Sequence, residues 1–153
     1  MGIFGMTTKG KCAIADNGPV VRAAAEAELR IFERDDDRFQ FQFNDVDASR
    51  SRKVQVSQIN GGELVLFVSM CRGCFDDDDV SGELLATLLV RNDDSPYGHW
   101  YASHDEDDDE ITFGLSYVTP GVGLTGDFLK CVCMSMVKEI SVVESLMEKE
   151  GLL

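Results

Sequence analysis

The sequence predicts an α+β fold, an antiparallel sheet of about five strands with three helices in the order α-β-β-β-α-β-β-α. Three observations carry that expectation. Val80, Leu84, Leu85, Leu88 and Leu89 recur at helical spacing, so one face of residues 80–91 is apolar. Trp100 and Ala102, then Ile111, Phe113, Leu115 and Tyr117, alternate with polar or small residues, the pattern of a half-buried hairpin. Thr125 is placed to cap a last helix, whose core stripe is Leu129, Val132, Cys133, Met136, Val137, Ile140, Val143 and Met147.

Taken in order, residues 1–17 have no periodicity and read as a loosely ordered arm ahead of a single domain over 18–153. Gly18–Pro19 opens a helix, with Pro at its first position. Val21, Ala25, Leu29 and Phe32 then share a face, and Asp35–Asp36–Asp37 ends it. Phe39, Phe41 and Phe43 alternate with Gln40, Gln42 and Asn44, a strand with one aromatic face. Asp45 to Lys53 is a polar connection, Val54 and Val56 mark a second strand, and Asn60–Gly61–Gly62 a turn. Leu64 to Met70 is apolar on both faces, as in a central strand covered on both sides or a subunit contact. Asp76 to Asp79 supplies negative charge at the start of the helix from Val80. His104 to Glu110 reads as a solvated hairpin turn. From Phe128 to Val137 only Lys130 and Ser135 are polar, so this helix must be covered all round. Its cover is either the N-terminal helix or a subunit or cargo surface.

At 153 residues and 44% hydrophobic composition, one domain can bury a core without disulfides or metals. A formal charge of −14 argues against nucleic acid and anionic membranes, and permits a basic partner. Its plainest consequence is solubility. Five cysteines and the lack of an apolar run in residues 1–17 point to a reduced, cytoplasmic setting. No stretch approaches the roughly 20 apolar residues of a membrane span. Gly2 is placed for myristoylation, but Met6 stands where Ser or Thr is required.

The motifs fall short of a reaction. Gly121–Val122–Gly123–Leu124–Thr125–Gly126 has the GxGxxG spacing of a dinucleotide loop, but it follows a hairpin strand rather than opening a βαβ unit. Asp127 would also repel phosphate at the helix start. Cys71–Arg72–Gly73–Cys74 is a CxxC without a second half, since Cys131 and Cys133 diverge around their helix. As a redox pair it needs a lowered thiol pKa, and Asp76 to Asp79 would raise it. His99 and His104 lie five apart on one strand and face opposite sides. Ser116, in Gly114–Leu115–Ser116–Tyr117–Val118, lacks the closing glycine of a nucleophile elbow. The acidic runs lack the Gly and Glu positions of a calcium loop. No catalytic, cofactor or metal residue is assigned.

The Asp-rich break followed by Arg38–Phe39–Gln40–Phe41, the strand Leu64–Val65–Leu66–Phe67–Val68, and Glu83–Leu84–Leu85 continuing to Arg91–Asn92 form one recurring order. Gly98–His99–Trp100–Tyr101 before the acidic turn and Glu110–Ile111–Thr112–Phe113 after it complete the order. Over roughly residues 19–150 the chain resembles the type III secretion chaperone-like fold, and within it the YbjN family. That resemblance implies a non-enzymatic protein-binding module, chaperone-like or regulatory, that takes a partner protein or an extended segment and often pairs as a homodimer. Phe39, Phe41, Phe43, Leu85, Leu89, Phe128 and Met134 are the expected protein-binding residues. The expected dimer interface uses the Leu64–Met70 strand and the last helix. The alternative is a small ligand-binding or enzyme domain using the Gly121–Gly126 loop or the acidic and Cys clusters.

Overall fold

Gly18 precedes helix α1 (Pro19–Glu26), which has Pro at its first position as expected. The computed structural model describes residues 18–45 and 50–153, so the expected arm over 1–17 lies outside the described residues. Helix α1 is shorter than its sequence suggests and buries a different face: Val20, Ala23 and Ala24, rather than Val21, Ala25, Leu29 and Phe32. It stops where Glu28 turns to a positive φ of 54° and Leu29 N donates back to Ala24 O at 2.8 Å. That left-handed exit closes the helix's last carbonyls, and here it is made without the glycine that usually announces it.

The acidic triplet does a different job from the expected one. Asp36 and Asp37 turn strand β1 (Glu33–Asp35) into β2 (Arg38–Asp45), with Asp36 at a φ of 34°. Strand β3 (Arg50–Ile59) pairs with the whole of β2, from Arg38 opposite Ser57 to Asp45 opposite Arg50. The expected polar connection from Asp45 to Lys53 thus gives up Asp45 to β2 and Arg50 to Lys53 to β3, because ladder hydrogen bonds are made by backbone whatever the side chain. Asn60 to Gly62 forms a single tight turn, with Asn60, Gly61 and Gly62 all at positive φ, leading into β4 (Leu64–Met70).

After β4 comes the two-residue strand β5 (Phe75–Asp76), then a short 3-10 turn over Asp77–Asp79. Helix α2 (Gly82–Asp94) starts later than Val80, capped by Ser81, whose hydroxyl accepts from Leu84 N at 3.1 Å. The acidic run thus precedes the cap instead of forming the first turn. Strands β6 (His99–Asp105) and β7 (Glu110–Pro120) form the expected hairpin, with Glu106 to Asp109 at its tip. Helix α3 (Gly126–Lys149) is capped by Thr125, which accepts from Phe128 N at 3.2 Å. All eight residues of its expected stripe are buried.

The result is an α+β fold whose antiparallel sheet has seven strands rather than about five. The two extra strands, β1 and β5, have three and two residues, too few for any side-chain alternation to show. The sheet runs β1-β2-β3-β4-β7-β6, with β5 on the β4 side of β7, beyond the end of β4, at Glu110 and Ile111. Helix α3 lies across β2, β3, β4 and β7 on one face, and α1 packs on α3. The close-packed interior is built from Phe39, Phe41, Val54, Val56, Val65, Phe67, Phe113 and Leu115 on the sheet against the α3 stripe. So the stripe of the last helix is a core position between sheet and α1, while Cys131 and Met134 on its remaining circumference stay exposed. Strand β4 is central, but only Val65, Phe67 and Ser69 are fully buried; Leu66 and Val68 face the other side and are half-exposed. No described helix covers that second face, so the expectation of a strand covered on both sides is corrected.

Candidate partner-binding surface

Hydrogen-bond direction alternates along a strand, so every second residue of an edge strand points its N–H and C=O outward. On β2, Gln40 O accepts from Phe32 N at 2.8 Å, on the β1 side. By alternation Gln42 and Asn44 face that side too, yet β1 pairs only with Arg38, Phe39 and Gln40. Among the described residues no backbone group pairs with the outward edge of Gln42 and Asn44.

The opposite edge is treated differently. On β6, Trp100 N donates to Asn92 Oδ1 at 2.6 Å and Trp100 O accepts from Asn92 Nδ2 at 3.5 Å. One side chain from α2 thus occupies both edge groups of Trp100, a standard way to blunt an exposed strand. The indole of Trp100 also donates to Glu139 Oε1 at 3.1 Å, and Arg91 grips both oxygens of Glu139 at 2.6 and 2.7 Å. Burial raises the Glu139 carboxyl, but the Arg91 and Trp100 hydrogen bonds outweigh it and leave it below the usual carboxylate range. This cluster fixes α2 to β6 and α3.

The open face of the sheet carries a row from Gln40 through Gln55 and Val68 to Ser116 and His99. Beside it, Gln40, Arg50, Ser51, Arg52, Lys53, Gln55, Val68, Met70 and Arg72 line a groove of about 580 Å³. The rear of that groove is anchored by buried charge. Glu144 receives Arg52 Nη1 and Arg72 Nε, each at 2.8 Å, and Arg72 N on its other oxygen at 2.8 Å. Burial pushes the Glu144 carboxyl up, but Arg72 and Arg52 win and hold it below its ordinary value. Glu148 Oε1 is shared by Arg50 at 2.7 Å and Arg72 at 2.8 Å.

The expected protein-binding residues divide. Phe39, Phe41 and Phe43 are 1%, 1% and 9% exposed, because α3 lies over the face they share, and they build the core. Phe128 is half-buried in an aromatic cluster with Tyr97 and Tyr117. Leu85, Leu89 and Met134 are exposed at 42%, 68% and 45%, and Val90 beside Leu89 is exposed at 64%. Gln42, Asn44, Lys53 and Arg72 are not among the expected residues. Only the pairing of strands could bring them out, although the Gln–Phe alternation of β2 marked the strand itself.

Packing explains two glycines of the GxGxxG stretch. A Cβ at Gly121 would stand 1.9 Å from Gly62 O, and one at Gly126 would stand 2.6 Å from Ala27 N. Gly126 N donates to Glu26 Oε2 at 2.9 Å, so a carboxylate already sits at the N-terminus of α3, where a phosphate would bind. Burial, then Glu144, pushes the Cys71 thiol up to about 12, and a hydrogen bond to Glu110 raises Cys74. Neither sulfur is poised as a thiolate nucleophile. Among the described residues no three His, Cys, Asp or Glu side chains converge as a metal site. No described helix is long and apolar enough to cross a membrane.

No family model and no curated protein matches the sequence. Solved structures do match in shape. One is the HopA1–SchA chaperone–effector complex, at 10% identity and a TM-score of 0.53, covering 80% of this chain and 88% of that one. Another is the ExsC–ExsE complex, at 13% identity and a TM-score of 0.52, covering 84% and 91%. At these identities the likeness shows a shared chaperone-like fold, and the YbjN resemblance stays with the sequence pattern.

Proposed function

We propose that this chain is a non-enzymatic protein-binding module, chaperone-like or regulatory, that takes an extended segment of a partner protein as an added strand along β2. The carrying observation is the outward edge at Gln42 and Asn44, which pairs with no backbone group among the described residues, set against an opposite edge that Asn92 plugs at Trp100. An added strand gains main-chain hydrogen bonds there and places alternate side chains over the open face. The shared fold with a chaperone–effector complex supports the same reading, and a cytoplasmic setting belongs with it. Capture from a native lysate with tagged protein, run beside Gln42→Pro, tests it. Proline removes only an outward N–H at this position, so the β2–β3 ladder survives. We expect one near-stoichiometric partner with the parent protein and its loss with the variant; equal capture by both overturns the reading.

The homodimer belongs to this proposal with a changed interface. The α3 stripe is spent in the core, and the most exposed large apolar side chains on the helices are Leu89 and Val90 of α2, with Leu85 one turn before Leu89. Covering such side chains is worth roughly 1.5–3 kcal/mol each when complete. Light scattering at micromolar concentration should give the mass of two chains, and Leu89→Asp the mass of one. A parent protein that runs as one chain contradicts it.

A further inference from the structure

We infer that the groove on the open face of β2, β3 and β4 recognises an acidic segment of the partner protein, which sets this surface apart from the rest of a chain carrying −14. The inference rests on the partner-strand reading for the nature of the ligand, and adds its charge. The described residues lining the groove include three exposed cations, Arg50, Lys53 and Arg72, with Arg52 buried toward α3, and no carboxylate. The two carboxylates behind it are already shared: Glu144 holds Arg52 and Arg72, and Glu148 holds Arg50 and Arg72. Lys53 is exposed and stands directly across from Gln42, the edge residue where an added strand would dock.

A second observation concerns hydrogen bonding. Gln40 Nε2 is shut off from solvent and has no hydrogen-bond partner among the described residues, and Gln40 lines the same groove. A buried donor without an acceptor costs about 1–3 kcal/mol, so the Gln40 carboxamide gains by turning toward the groove to meet an incoming carboxylate or carbonyl oxygen. Val68 and Met70 supply an apolar floor beside these groups. The fitting ligand is therefore an extended segment in which acidic and apolar residues are mixed. The field of the molecule favours the same placement, because the acidic tip Glu106 to Asp109 closes the hairpin at the opposite edge of the sheet and repels such a segment.

Fluorescence anisotropy with the full chain tests this, using a labelled peptide of alternating Glu and Leu and a counterpart of alternating Lys and Leu. We expect the Glu peptide to bind at low salt and weaken as salt rises, the Lys peptide to fail, and Lys53→Glu to weaken the Glu peptide by about tenfold. Lys53 is exposed and outside the buried charge cluster, so its reversal leaves the fold intact. Equal binding of both peptides, no binding of the Glu peptide, or indifference to Lys53→Glu overturns the inference. Binding of both peptides that Gln42→Pro abolishes leaves the edge reading standing alone. Binding of the Glu peptide that ignores Gln42→Pro but responds to Lys53→Glu sinks the edge reading and keeps the groove. A dimer that Lys53→Glu converts to single chains would give the groove to a second copy's acidic hairpin, and overturns the proposal as well.

Discussion

Replacing Glu144 with Ala should cost about 3–5 kcal/mol of stability, the largest loss expected from any single charge in the protein. Glu144 and Arg52 have side chains only 1% and 6% exposed, so neither can fall back on water if the other is removed. Arg72 is 46% exposed and can rehydrate, but its backbone N–H also loses the Glu144 oxygen it meets at 2.8 Å. In urea, at a slope of about 2 kcal/mol per molar, the midpoint should fall by roughly 2 M. Glu144→Leu combined with Arg52→Met should recover most of the loss, because desolvation of both charges then disappears. A loss below about 1 kcal/mol for Glu144→Ala would show that the cluster is hydrated in solution.

The same cluster fixes the sign of the acid response. The folded-state pKa of Glu144 lies below its ordinary value, as does that of Glu148, held down by its hydrogen bonds to Arg50 and Arg72. Their contribution is present above the unfolded carboxylate pKa of about 4.3, and is lost as pH falls through the depressed folded value.

The second large effect is steric. Gly121→Ala would place a methyl 1.9 Å from Gly62 O, in backbone that also receives Gly121 N at Glu63 O, 2.8 Å away. No flexible side chain can yield there, so the β7 exit and the β3–β4 turn must separate, at about 3 kcal/mol. Gly123→Ala is the control: its φ of 80° disfavours a side chain, but nothing lies within 4 Å, so about 1 kcal/mol is expected. Thermal unfolding of the two variants compares them directly. A loss at Gly123 that matches or exceeds the loss at Gly121 would remove the packing explanation for this loop.

Much of the fold is legible because its longest element states its case repeatedly. Helix α3 shows eight stripe residues behind a Thr cap, and all eight are buried. Hairpin β6–β7 and the Asn60–Gly62 turn are equally plain from alternation and turn chemistry. Elements decided by a single backbone conformation are hidden. Helix α1 ends at a Glu28 with positive φ, and strands β1 and β5 are too short to alternate. The binding surface is hidden for another reason. Phe39, Phe41 and Phe43 form a stripe in the sequence, but whether that stripe meets a partner or the core depends on where α3 lies. Glu144 reaches Arg72 across 72 residues of chain, and Gln42 becomes an edge only because β1 stops opposite Gln40.

Hydrogen exchange on the captured complex tests the central proposal most directly. The outward amides of Gln42 and Asn44 should exchange fast in the protein alone, since no described backbone group accepts from them, and become protected when the partner is bound. Protection that appears elsewhere, on α2 for instance, while Gln42 and Asn44 stay as fast as before, would show that no partner strand joins the β2 edge.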